Sequence, residues 1–357
     1  MSRIVLSGYY GFHNLGDEAV LAATVQALRR LRPRVRITVL SASPEETRRE
    51  HGVDSVPRAA PGAVLGAMHG ADLLLCGGGS LFQDATSWRS PWYYLGVLSA
   101  GRRLALSTAV YAQGLEAPRR RAVAAGIARV LDRVDLITVR DRASLHVLAD
   151  LGVRRPRTAV AADPSWLLTP HWSPAAAAER ARWGKGRWCG LALRAWGSGT
   201  AARAAAEAAR AASARLGVRW ALFPMHPPGD FSVARAAAAE IGGGAVVVRG
   251  GLGPSEVLAL IGSVDVMVAM RLHALMFAAS QGVPIVPLAY DPKVRALAAE
   301  LGEPAPGELG SVRAPDLLAA IEAAADGGAA RARLLAAVPP LRERASLAAS
   351  LAAELLR

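Results

Sequence analysis

Cysteine is almost missing. Cys76 and Cys189 are the only two in 357 residues, far apart and each in an apolar stretch, which excludes a disulfide framework. Lysine is as scarce: Lys185 and Lys293 stand alone, and the other forty basic residues are arginines. Aromatic residues make up 5% of the chain, so alanine, glycine, leucine and valine must fill the interior, which suits helices packed closely on sheets. No uncharged apolar run reaches the roughly 18–20 residues of a membrane span. The longest candidate, residues 257–270, is shorter and contains Asp265. The N-terminal MSRIVLSGYYG is a strand-like run followed by glycine, not a signal-peptide core. Zinc-finger spacing, an RNP-like aromatic motif and a long basic block are all lacking, so nucleic acid is not the expected partner. No His/Cys/carboxylate set has ligand spacing, so no metal is expected. A cytoplasmic protein follows, and its net charge of +13 leaves room for peripheral contact with an anionic membrane.

What is present is rhythm. Short apolar runs alternate with helix-length segments almost throughout, the pattern of parallel sheets with helices on both faces. In the first half, strands are predicted at 3–7, 36–40, 72–76, 104–113, 136–140 and 158–161, with helices including 17–31, 118–132 and 141–151. A proline-rich break at LLTPHWSPAAAA (167–178) reads as a linker. The rhythm then restarts, with strands at 188–194, 219–224, 245–249, 266–269 and 284–288. A helix over 341–357 follows Pro339-Pro340. The expected fold is α/β, two doubly wound Rossmann-like domains (1–169 and 170–357, the second with the terminal helix) facing each other across a cleft in a GT-B-like arrangement.

In doubly wound sheets, ligands bind beyond the carboxyl ends of the strands, and the unusual residues of this chain fall there repeatedly. After the first strand, GYYGFHNLGDE (8–18) allows close backbone approach. Asn14 and Asp17 either cap the following helix or recognise sugar hydroxyls. After ADLLLC, the run GGGSLFQD places Gly78, Gly79 and Ser80 where backbone amides can crowd a ligand. Arg140 closes the strand LITVR and faces either a substrate or a neighbouring acid. Arg194 after GLAL has the same status, and His226 in FPMHPPGD ends another strand.

The segment MRLHALMFAASQGVPIVPLAYDPKV (270–294) is the most informative. Arg271 lies in so apolar a context that it needs an anionic partner, a substrate or an internal salt bridge. His273 is suited to proton transfer near neutral pH. Tyr290 and Lys293 follow the next strand. A lysine in a chain that otherwise uses arginine suggests a tunable acid or a compact phosphate contact.

Taken together, GYYGFHNLGDE, GGGSLFQD, VYAQG (110–114), TVRD (138–141), ADP (162–164), FPMH, MRLHAL and YDPKV resemble the polysaccharide pyruvyl transferase family, in particular its CsaB-like cell-wall branch. His13 stands where that family more often has a smaller amide residue. The resemblance implies transfer of an enolpyruvyl unit from phosphoenolpyruvate to a sugar as a cyclic ketal, with no cofactor. The acceptor it implies is N-acetylmannosamine on a lipid-linked precursor of a secondary cell-wall polymer, where the ketal anchors surface-layer proteins. It implies functional roles for Arg140, His273 and Lys293, with Arg271 from the same Arg-Leu-His motif. Two other readings fit the same fold: a nucleotide-sugar glycosyltransferase or epimerase, using an acid such as Glu256 on a ribose, and a non-catalytic binder of anionic glycans.

Overall fold

The computed structural model describes residues 2–85, 87–307 and 312–356. The chain divides into two units, Met1–Leu168 with Leu341–Arg357, and Thr169–Pro340. Both are α/β with all-parallel sheets.

The first unit holds seven strands: β1 Arg3–Ser7, β2 Arg36–Ser41, β3 Asp54–Pro57, β4 Leu73–Gly77, β5 Ser107–Gln113, β6 Leu136–Val139 and β7 Arg157–Val160. They pair in the order β3-β2-β1-β4-β5-β6-β7, every pair parallel. Parallel neighbours require crossovers, and the crossover helices cover both faces, so both faces are apolar. Successive residues of a strand point to opposite sides. Ile4 and Leu6 accordingly pack with Leu21, Val25 and Leu28 of the helix Leu15–Leu31, while Val5 joins Leu74, Tyr94, Leu98 and Ile127 on the other face.

The second unit has β8 Arg187–Ala192, β9 Val218–Leu222, β10 Ala245–Val247, β11 Met267–Ala269 and β12 Ile285–Pro287, in the order β10-β9-β8-β11-β12. These pairs too are all parallel. The helix Thr200–Leu216 buries seven alanines, and its small side chains join the core around Trp220, Leu191 and Val268.

Several boundaries differ from the sequence reading. The strand expected from residue 104 begins at Ser107, because Leu104 ends the helix Arg89–Arg103 and Ala105 turns the chain at φ 61°. Residues 44–68 carry two helices, Pro44–His51 and Pro61–Met68, in an interval where the alternation implied helix, and between them the edge strand β3, which was not anticipated. The proposed linker runs into a helix at Pro174–Trp183, capped by Ser173, whose Oγ accepts from the Ala176 N–H.

The largest correction concerns the terminal helix, which the sequence reading put with the second domain. It runs Gly328–Glu354 with Pro339 and Pro340 inside it, and the unit boundary falls at those prolines. Beyond them Ala348, Leu351, Ala352 and Leu356 pack among Ile4, Leu21 and Leu28, so apolar burial assigns residues 341–357 to the first unit.

Candidate functional site

Each sheet has one topological switch point, where neighbouring strands send their connections to opposite sides: β1/β4 in the first unit and β8/β11 in the second. The loops leaving these strands are the ones the sequence marks out.

In the first unit, Gly77, Gly78 and Gly79 form a turn that tolerates no side chain. A Cβ on Gly77 would sit 2.0 Å from the Tyr111 carbonyl oxygen, and one on Gly78, at φ 86°, 2.4 Å from Val20. Gly79, at φ 74°, has the Asp17 Oδ1 2.9 Å from its Cβ position. Tyr10 locks the turn to the first loop by donating its hydroxyl to the Gly77 carbonyl at 2.8 Å. From β5, Gln113 Nε2 donates to the Gly79 and Gly114 carbonyls at 3.0 and 2.9 Å. From β6, Arg140 lies over Gly114, where a Cβ would come within 2.4 Å of Cζ. Its guanidinium reaches Ser80 Oγ at 3.5 Å and Asp141 at 3.4 Å, both long contacts, and its side chain is 11% exposed. Asp17, Gly78, Gly79, Ser80 and Arg140 thus gather around the carboxyl ends of β1, β4, β5 and β6.

Asn14 does not belong with them as a free recogniser. Its Oδ1 accepts the Gly16 N–H at 3.2 Å and caps the helix. Asp141 does the same for the helix Arg142–Asp150, accepting from Ser144 N at 2.7 Å. The loop of residues 8–14 is held from beneath by buried Glu18, which accepts from Gly11 N at 2.8 Å and meets His51 Nε2 at 3.4 Å. With Glu50, these two offer ligand atoms within 4.8 Å of one another, a group that sequence spacing did not indicate. Both Glu18 oxygens are already engaged in tying the loop down.

In the second unit, Arg271 has an internal salt-bridge partner. Asp230, 2% exposed, takes Arg271 Nε at 2.8 Å and Nη2 at 2.5 Å in a two-pronged contact. The same carboxylate accepts from the backbone N–H of Met225 and His226 at 3.2 and 3.0 Å. Burial demanded an anion for Arg271, and the protein itself supplies one through Nε and Nη2. Arg271 fixes the start of the helix Leu272–Ser280, in whose first turn His273 sits beside Phe277, ring centroids 6.5 Å apart.

Arg194 is different. Its Nη1 donates to the Tyr290 hydroxyl at 2.8 Å, and its guanidinium lies over the Trp196 and Tyr290 rings at 5.2 and 5.1 Å. Its Nε is buried and donates to nothing among the described residues. A buried donor left unpaired costs on the order of 1–3 kcal/mol, which a bound anion would recover. Lys293 follows Tyr290 on the next loop, where Asp291 caps the helix Pro292–Glu300 and its Oδ2 pairs with Lys293 Nζ at 3.0 Å. Tyr290, Asp291, Pro292 and Arg295 line a depression of about 400 Å³.

Sequence reasoning missed Asp230, Gln113 and Arg58. The signal for Asp230 was present in PPGD at a helix start. Arg58, at the end of β3, stacks on Phe12, Tyr93 and Tyr94 and donates to the Gly8 carbonyl, and nothing in its local sequence marks it. Glu256, the acid that a ribose-binding reading needs, is engaged in capping: it accepts from Gly253 N at 2.6 Å and from the Ser173 hydroxyl.

Comparison with known proteins bears on both levels. The sequence model of the family described as polysaccharide pyruvyl transferase matches residues 14–292. No curated protein sequence matches the chain significantly. Among solved structures, MnaA of S. aureus with UDP superposes with a TM-score of 0.69 at 12% identity, covering 98% of this chain and 94% of that one. The UDP-GlcNAc 2-epimerase of Neisseria meningitidis bound to UDP-GlcNAc gives 0.65 at 8% identity, covering 99% of each chain. HepE of Anabaena in complex with UDP-glucose gives 0.64 at 13% identity, covering 98% of each. At such identities the likeness establishes the fold, which is GT-B-like.

Proposed function

The chain belongs to the polysaccharide pyruvyl transferase family, and from that premise we propose that it moves the enolpyruvyl group of phosphoenolpyruvate onto a sugar, closes a ketal across two hydroxyls and releases phosphate. The single observation that carries the reading furthest is Arg194, a guanidinium held against two neighbouring aromatic rings with a buried N–H to spare. Phosphoenolpyruvate is a small molecule with two anionic functions, and planar guanidinium donors suit both.

In the proposed reaction, a proton adds to C3 of the enol while a sugar hydroxyl bonds to C2 and gives up its own proton. The bond from C2 to the phosphate oxygen then breaks, and phosphate leaves with its electron pair. The second hydroxyl bonds to C2, loses its proton and completes the ketal. His273 and Lys293 are the residues assigned to these proton transfers and to the charge on the departing phosphate. Arg194 and Tyr290 hold the donor, and Arg271 acts through position, anchoring the turn that carries His273. In the first unit, Asp17 and the amides around Gly78, Gly79 and Ser80 suit sugar hydroxyls, with Arg140 as the cation at that end of the sheet. No cofactor is invoked. The acceptor follows the family resemblance: N-acetylmannosamine on a lipid-linked secondary cell-wall polymer precursor, met at the inner face of the membrane.

Incubation with phosphoenolpyruvate and N-acetylmannosaminyl acceptors tests this. Phosphate should appear only when both are present. Folded protein that releases none with any acceptor tried would contradict the reaction. Stabilisation against heat by uridine nucleotides and not by phosphoenolpyruvate would favour the nucleotide-sugar reading, for which the capped state of Glu256 is unfavourable.

A further inference from the structure

Outside the candidate site, exposed tryptophan is the least expected feature of a chain so poor in aromatics. Trp88 is 51% and Trp92 41% exposed, both at the start of the helix Arg89–Arg103 in the first unit. They do not stand alone. Asp84, four residues before Trp88, accepts the backbone N–H groups of Arg119 and Arg120 at 2.9 Å each, which ties Asp84 to the start of the helix Arg121–Leu131. The Trp92 ring rests against Gly126 of that helix, 2.7 Å from where a Cβ would be. Arg89 lies over the Trp88 ring at 5.4 Å.

The result is one surface with two large aromatic side chains and four exposed arginines, Arg89, Arg119, Arg120 and Arg121. The acids near it are Asp84, which is buried and pairs with Arg120, and exposed Glu116. The balance is positive. Both helices start from loops at the carboxyl end of the first sheet, the end that carries Gly79, Ser80 and Arg140.

We propose that this surface docks the protein on an anionic lipid bilayer, with Trp88 and Trp92 entering the headgroup region and the arginines pairing with lipid phosphates. Tryptophan favours the membrane–water interface because its ring is apolar and its N–H polar. Arginines beside it draw the surface to negative lipid, at roughly fivefold in partition for each. The proposal deepens the reading of a lipid-linked acceptor, since it places the sugar-facing end of the first sheet toward the bilayer. It does not need that reading in order to be tested.

The test is sedimentation of the full chain with vesicles, in the absence of phosphoenolpyruvate and acceptor. Vesicles containing phosphatidylglycerol should pellet the protein in a salt-sensitive manner, and pure phosphatidylcholine vesicles should not. Trp88→Ala with Trp92→Ala should weaken binding several-fold, and separately Arg119→Ser with Arg121→Ser should weaken it roughly 25-fold. Phosphate release with a soluble acceptor should stay at the wild-type rate. The arginine pair is solvent-exposed, so it decides the matter even if the tryptophan pair impairs folding. Wild type that stays in the supernatant, or an arginine variant that binds as well as wild type, overturns the proposal. So does light scattering in which these variants break up an oligomer, because the surface would then be a protein interface. Vesicle binding without any pyruvyl transfer would sink the proposed reaction and leave the docking surface intact.

Discussion

Asp230 decides what its neighbours can do. It neutralises Arg271 and receives two backbone amides from the loop around His226, so one carboxylate organises the ends of β9 and β11. Replacing it with alanine strands a guanidinium that is 16% exposed, and unfolding in urea should show a loss of about 3–5 kcal/mol. An unchanged transition would mean that Arg271 finds another partner. Arg194→Ala should behave in the opposite way, with nearly wild-type stability and a large rise in KM for phosphoenolpyruvate; an unaltered KM would remove it from the donor site. His273→Ala and Lys293→Ala should each lower turnover by orders of magnitude in a folded protein, and near-normal turnover would take that residue out of the reaction. At this scale the sequence disclosed the need for an anion beside Arg271 but not its source, because Asp230 lies 41 positions away. Chain distance of that kind is closed only by the sheet order.

Elements explain why the glycines occur where they do. The turn after β4 packs against Tyr111, Val20 and Asp17 so closely that it can be built only without side chains. Gly79→Ala would combine strain at φ 74° with a methyl 2.9 Å from Asp17 Oδ1. The expected outcome is a measurable fall in Tm together with weakened acceptor binding, and a variant with wild-type affinity would separate this turn from the acceptor. The strands facing the core were legible, because Ile4-Val5-Leu6 and Leu73-Leu74-Leu75-Cys76 are continuous apolar runs. β3 was not: Asp-Ser-Val-Pro is short, polar and ends in proline, and it sits at the sheet edge, where pairing on one side is enough. The terminal helix was placed with the wrong unit because proline reads locally as a stop, whereas here it lies inside a helix whose far half is held by tertiary burial.

For the whole molecule, that far half carries a prediction. Truncation before Leu341 would uncover the faces that Ala348, Leu351, Ala352 and Leu356 bury, so the first unit should unfold or bind a hydrophobic dye strongly. A truncated chain with a native melting curve would show these contacts to be dispensable. Alkaline stability offers another check. Burial pushes the Cys76 and Cys189 thiols up from an ordinary value near 9 to about 12. The folded protein therefore holds protons that the unfolded chain releases, and stability should decline as pH rises from 9 toward 12. Denaturant midpoints that stay level over that range would contradict it. The broad architecture, two doubly wound units, was readable from alternation alone, and the family from ordered motifs over most of the chain. Mass spectrometry of a lipid-linked N-acetylmannosaminyl acceptor after incubation with carbon-labelled phosphoenolpyruvate reads the proposed transfer itself. The acceptor should carry the intact labelled three-carbon unit as a ketal, with one phosphate freed for each. An acceptor recovered unlabelled while a uridine nucleotide sugar is consumed would contradict it.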